Sequence, residues 1–95
     1  MQTLDDYLQR FFGDRRKGEG RVAVGDAHAV FEAGFDVRYS RYSVTYRDAL
    51  GEVVVPAEFD DEGVLLVQAS RCRDPRAIER IGDALAFLGV RYEAR

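Results

Sequence analysis

The sequence predicts one α+β domain. Two stretches with apolar residues at helical spacing bracket a long central region whose apolar period is two, and tetrads ending in glycine cut that region into short runs. The expected architecture is an N-terminal helix, an antiparallel β-meander of about four to five strands and a C-terminal helix packed on one face of the sheet, with room for a last short strand. At 95 residues, the chain from 1 to 95 is a single compact domain, able to bury ~60–65% of the surface its unfolded form exposes.

The first helix is written in Leu4, Tyr7, Leu8, Phe11 and Phe12, with Thr3 as N-cap and Gly13 as stop. A polar loop, DRRKGEGR, follows and carries Arg15, Arg16 and Lys17. Residues 21–24 and 28–33 form a weak, alanine-rich pair of strands around Gly25 and Asp26. Phe35, Val37 and Tyr39 then sit at odd positions, but Tyr42, Val44 and Tyr46 at even ones, so a turn or bulge is required near Ser40 and Arg41. DALG (48–51) and DDEG (60–63) are turns that separate YSVTY, EVVVPAEF and VLLVQAS. Pro56 cannot donate to a ladder, which places the middle run at an edge or on a bulge. Asp74 and Pro75 open the second helix, Ile78, Ile81, Leu85 and Leu88 give its apolar stripe, and Gly89 ends it. Val90 and Tyr92 supply the last short strand.

A hydrophobic fraction of 46% against 33% charged residues of mixed sign is enough for a core and argues against disorder. The single cysteine, Cys72, excludes an internal disulfide and fits a reducing, cytoplasmic setting. The opening MQTLDDYLQR has aspartates where a secretory signal has basic residues, and no apolar run approaches the ~18 residues of a membrane span, so neither is expected.

Residues 38–47, RYSRYSVTYR, combine tyrosines and arginines as a base-stacking platform does. Strand alternation, however, sends Tyr42, Val44 and Tyr46 to one face and Arg41, Ser43, Thr45 and Arg47 to the other. That separation favours a half-buried strand, leaving Tyr39 and Arg41 at the break as candidates for contact with a protein partner. The net charge of −3 also makes nucleic acid an unfavoured partner. A nucleic-acid adaptor using Arg15, Arg16, Lys17, Arg41 and Arg47 stands as an alternative.

Catalysis through a nucleophile would require the sole histidine, His28, or the lone thiol of Cys72, which are far apart in the sequence. The glycines of GEGRVAVG match no phosphate-binding loop, and no cofactor is expected. Glu58, Asp60, Asp61 and Glu62 lack the spacing of a calcium loop. Their meaning is electrostatic. Every charged residue from Asp48 to Glu62 is acidic, and Glu52, Glu58, Asp60, Asp61 and Glu62 form a candidate surface for a basic partner. Serine at Asp60, Asp61 and Glu62 is expected to leave folding nearly unchanged while slowing association.

GEVVVPAEFDDEGVLLVQAS followed by DPRAIERIGDALAFLGVRYEAR resembles the small immunity proteins of bacterial polymorphic toxin systems, in particular the family catalogued as immunity protein 74. The likeness lies in a strand ending at Glu58, a turn, an apolar strand ending at Ser70, a proline-led helix and a closing strand. It implies a non-enzymatic inhibitor that blocks the active or substrate-binding surface of a cognate toxin or other effector protein. Other small acidic inhibitors, such as phage anti-CRISPR or anti-restriction proteins, share this composition. The edge strand is compatible with a monomer or a homodimer.

Overall fold

The computed structural model describes residues 4–12 and 20–95. The expected cap at Thr3, the stop at Gly13 and the basic cluster Arg15, Arg16 and Lys17 lie outside the described residues. Helix α1 (Leu4–Phe12) is followed by β1 (Arg21–Ala23), β2 (His28–Phe31), β3 (Phe35–Tyr39), β4 (Ser43–Asp48), β5 (Gly51–Phe59) and β6 (Leu65–Val67). A 3₁₀ turn (Ala69–Arg71), helix α2 (Pro75–Phe87) and β7 (Tyr92–Ala94) complete the chain.

The strands form one seven-stranded sheet in sequential order. This corrects the expected four to five strands. Three of the seven, β1, β6 and β7, are only three residues long; each lies in or beside a run read as extended, and pairing with its neighbour fixes where the strand begins and ends. The sheet is also mixed. β1 to β6 run antiparallel, whereas β7 pairs parallel to β6 after the α2 crossover.

One face of the central strands is turned to α2, and Ala29, Val37, Val44 and Val55 form a single core there with Ile81 and Leu85 of the helix. Burying these last two side chains stabilises the fold by about 1.5–3 kcal/mol each. The opposite face is covered over β1 and β2 by α1, where Leu8 meets Val30 beside Phe12, Val22 and Val24. α2 touches both ends of the sheet order. The Arg21 guanidinium of β1 lies 4.9 Å from the Phe87 ring centroid, and the Tyr92 hydroxyl of β7 rests over Gly82 so closely that a Cβ there would lie 2.5 Å from it. The sheet therefore curls around the helix.

α2 begins as its sequence dictates. Asp74 caps it by accepting from the Arg76 N–H at 3.0 Å, and Pro75 occupies the first helical position, where its missing N–H has no intrahelical partner to lose. Gly89, at φ +75°, follows its C-terminal end.

The inversion of the apolar face is absorbed by the turn at residues 40–42, as the alternation requires. Tyr42 falls within that turn and is 71% exposed, which corrects its assignment to the core face, while Val44 and Tyr46 are buried as expected. Pro56 introduces no bulge. The β4 register passes through it without a break, from Ser43↔Pro56 to Asp48↔Gly51, and the proline instead marks where β5 exchanges an open edge for β6.

Candidate functional site

The predicted contact residues separate into two groups. Backbone pairing of the Ala57 N–H with the Tyr42 carbonyl at 3.0 Å brings the β3–β4 turn beside the end of β5. The Tyr39 and Phe59 rings meet edge to face with centroids 6.1 Å apart, and Phe59 is 42% exposed. Tyr39, Arg41, Glu58, Asp60, Asp61 and Glu62 thus share one end of the sheet with Tyr42 and Phe59. Glu52 does not belong to this group. It lies six residues before Glu58 on an extended strand, about 20 Å away, and faces Arg47 across the ladder.

Within the acidic turn the carboxylates have different tasks. Asp60 Oδ1 accepts from the backbone N–H groups of Glu62 at 2.8 Å and Val64 at 2.9 Å, and Gly63 takes φ +81° to close the turn. The hydrogen bond from Val64, opposed by desolvation and aided by Glu62, Arg91 and Arg95, holds the Asp60 carboxyl below its ordinary value. Arg91 also donates to the Glu62 carbonyl. Of the three positions at which serine is expected to leave folding nearly unchanged, Asp60 is the one whose carboxylate is a component of the turn. The side chains of Glu58, Asp61 and Glu62 are exposed and form no ion pair among the described residues.

On the sheet face away from α2 lies a cluster that strand alternation alone does not announce. Asp36, only 2% exposed, accepts from His28 Nε2 at 2.6 Å and from Arg47 Nε and Nη2 at 2.8 and 3.2 Å, with Arg38 at 3.8 Å. Burial pushes this carboxyl up, but the hydrogen bonds and charges of His28 and Arg47 outweigh it, leaving the group below its ordinary value. The register explains the meeting, since His28 faces Arg38 and Asp36 faces Arg47 in adjacent ladders. An aspartate in the apolar strand FDVRY was the available signal, and its partners are contributed by two other strands. Arg47, a candidate phosphate contact, is engaged by Asp36.

The remaining tyrosine of the RYSRYSVTYR run, Tyr46, is a core residue with a satisfied hydroxyl. It accepts from Arg80 Nη1 at 2.8 Å and donates to Asp48 Oδ2 at 2.7 Å, while Arg80 stacks 4.4 Å from the Phe35 centroid. Burial first, then the bond to Asp48, pushes its phenol up against the opposing effect of Arg80. Arg80 also lines a groove of about 560 Å³ with Arg21, Arg76, Glu79 and Asp83, where the carboxylates offset much of the positive charge.

His28 and Cys72 are on opposite faces of the sheet. His28 points to Asp36, whereas Cys72 packs against the α2-side core and directs its thiol to the Asp74 carbonyl at 3.6 Å. They do not form a nucleophile–base pair. Among the described residues, no group of three or more His, Cys, Asp and Glu is placed to hold a metal ion, and no helix is long and apolar enough to cross a membrane.

No family model matches the chain. No curated protein and no solved structure matches it significantly.

Proposed function

We propose that this protein is a non-enzymatic, protein-binding inhibitor of the immunity-protein kind, which neutralises a toxin or other effector by covering its active or substrate-binding surface. The observation that carries this reading is the juxtaposition of the Tyr39–Phe59 ring pair with the unpaired carboxylates of Glu58, Asp61 and Glu62 at one end of the sheet. Exposed aromatic rings are the side chains that anchor interfaces, and Tyr42, 71% exposed, enlarges the set. The carboxylates beside them steer a basic partner and disfavour nucleic acid. In this reading the rings supply the lasting contact, and Glu58, Asp61 and Glu62 take the place of substrate phosphates in the effector's cleft.

The test is capture of a stoichiometric effector by the tagged protein, followed by association kinetics with Glu58→Gln, Asp61→Asn and Glu62→Gln combined. Asp60 is left intact because it holds the turn. The triple variant is expected to associate about tenfold more slowly at low salt, with the difference shrinking as salt rises. Tyr42→Ala and Phe59→Ala are expected to speed dissociation. Unchanged association and dissociation in these variants would reject this surface, and nucleic acid captured without a protein partner would reject the inhibitor reading.

A further inference from the structure

The groove of about 560 Å³ between α2 and the β2–β3 hairpin has the size of a small-molecule site. Arg76, Glu79, Arg80 and Asp83 line it from the helix, where spacings of three and four residues put them on one face, and Arg21 lines it from β1. Its three guanidinium groups are held without carboxylates. Arg80 donates through Nη1 to the Tyr46 hydroxyl and lies over the Phe35 ring, Arg21 lies over the Phe87 ring, and Arg76 is exposed. Glu79 and Asp83 stand beside them, yet none of the five forms an ion pair among the described residues. Arg80 Nε and Nη2 donate to nothing among the described residues, and since no buried side-chain nitrogen there lacks a partner, both are open to solvent. Arg76 breaks a local rule. It sits in the first turn of α2, where the helix dipole favours an acidic side chain and none is present. An anion seated beside Arg76 offsets that repulsion.

We propose that this groove binds a sugar phosphate, with the phosphoryl group on Arg76, Arg80 and Arg21 and the sugar hydroxyls on Glu79 and Asp83. A guanidinium fork matches phosphoryl oxygens in pairs. Arg76 and Arg80 are one helical turn apart on the same face, which lets both reach one phosphoryl group. Arg80 is the preorganised member, because a buried hydroxyl and an aromatic ring fix its orientation while its remaining N–H groups stay open.

The carboxylates select the rest of the ligand. Three guanidinium groups against two carboxylates leave one net positive charge in the groove, which suits a single phosphoryl group and disfavours the further phosphates of a nucleic acid. Glu79 and Asp83, without cationic partners, accept from hydroxyl groups. A nucleobase finds no platform: Phe31 and Phe35 stack on each other at 4.4 Å, Arg80 covers Phe35, and both rings are buried. Phe35 and Tyr39 occupy opposite ends of β3, so this site is separate from the surface proposed for a protein partner and does not rest on that reading.

Titration of the full chain with ribose 5-phosphate, followed by amide shifts in heteronuclear NMR spectra, is expected to move the signals of Arg21, Phe31, Phe35 and residues 76–83 saturably, with a Kd of about 0.1–1 mM. Inorganic phosphate alone and ribose alone are each expected to bind about tenfold more weakly or less tightly still. Arg76→Ala, at an exposed position, is expected to weaken the sugar phosphate by about tenfold, and Arg80→Lys, which keeps the charge but loses the fork, by a similar factor. Circular dichroism confirms that both variants fold. Glu79→Gln combined with Asp83→Asn is expected to weaken the sugar phosphate and tighten inorganic phosphate, bringing the two within about threefold of each other. No saturable shift up to ~10 mM, binding indifferent to Arg76→Ala, or inorganic phosphate binding as tightly as the sugar phosphate would overturn the proposal. So would a mononucleotide or an oligonucleotide that binds more tightly than the sugar phosphate, since either shows a groove that reads bases or several phosphates.

Discussion

Replacing Asp36 with alanine tests whether the polar cluster on the sheet face away from α2 holds the central strands together. Three hydrogen bonds at 2.6, 2.8 and 3.2 Å are lost, and the partly buried Arg47 and His28 are left without their shared acceptor. Removing one partner of a buried ion pair costs about 3–5 kcal/mol. Water reaches the rim here, where the Arg38 side chain is half exposed, and screening brings the expectation to about 3 kcal/mol. For a domain of this size that lowers the melting temperature by about 12–24 °C and, at a urea slope of ~1–3 kcal/mol/M, the midpoint by about 1–3 M.

Asp36→Asn isolates the charge. A carboxyl held below its ordinary value of 3.8 contributes stability that is fully present above that value and lost as pH falls through the folded one. The asparagine variant is therefore expected to lose less stability than the native protein on acidification below about pH 4. Adding Arg47→Ala to Asp36→Ala is expected to cost less than the sum of the single changes, by about 0.5–3 kcal/mol of coupling. Urea titrations of the native protein, the three single variants and the double variant measure these differences. An Asp36→Ala protein within about 0.5 kcal/mol of the native one, or strict additivity in the cycle, would refute the reasoning.

Other substitutions test separate parts of the fold. Ile81→Ala leaves a cavity between α2 and the sheet, where the side chain is almost wholly buried, and is expected to cost about 2–5 kcal/mol in chemical denaturation. Asp74→Ala removes the α2 cap and should cost about 0.5–2 kcal/mol, read as a lower melting temperature with native secondary structure at 25 °C. Tyr46→Phe deletes the hydroxyl between Arg80 and Asp48 and should cost about 0.5–1.5 kcal/mol by urea titration.

Much of the architecture was legible because its signals are local. The α2 start at Asp74 and Pro75, its end near Gly89, the two turns and the break after Tyr39 each depend on a few adjacent residues whose dihedral preferences or hydrogen bonds admit few alternatives. The face separation of Val44 and Tyr46 follows equally from strand geometry. β1, β6 and β7 fall where extended runs were read, but their three-residue lengths and the parallel pairing of β7 with β6 were not legible, because pairing partners distant in the chain set both.

The sequence by itself determined the α+β class, the boundaries of α2 and the placement of an acidic turn after β5, since propensity, capping and alternation act between near neighbours. Tertiary structure alone decided which charged groups are available. Asp60 is tied into its turn, Arg47 into the Asp36 cluster and Arg80 into a bridge to Tyr46, whereas Glu58, Asp61 and Glu62 remain exposed beside Tyr39 and Phe59. A carboxylate or guanidinium has the same identity in the sequence whether it meets water or a buried partner. Only the register of strands far apart along the chain selects between them.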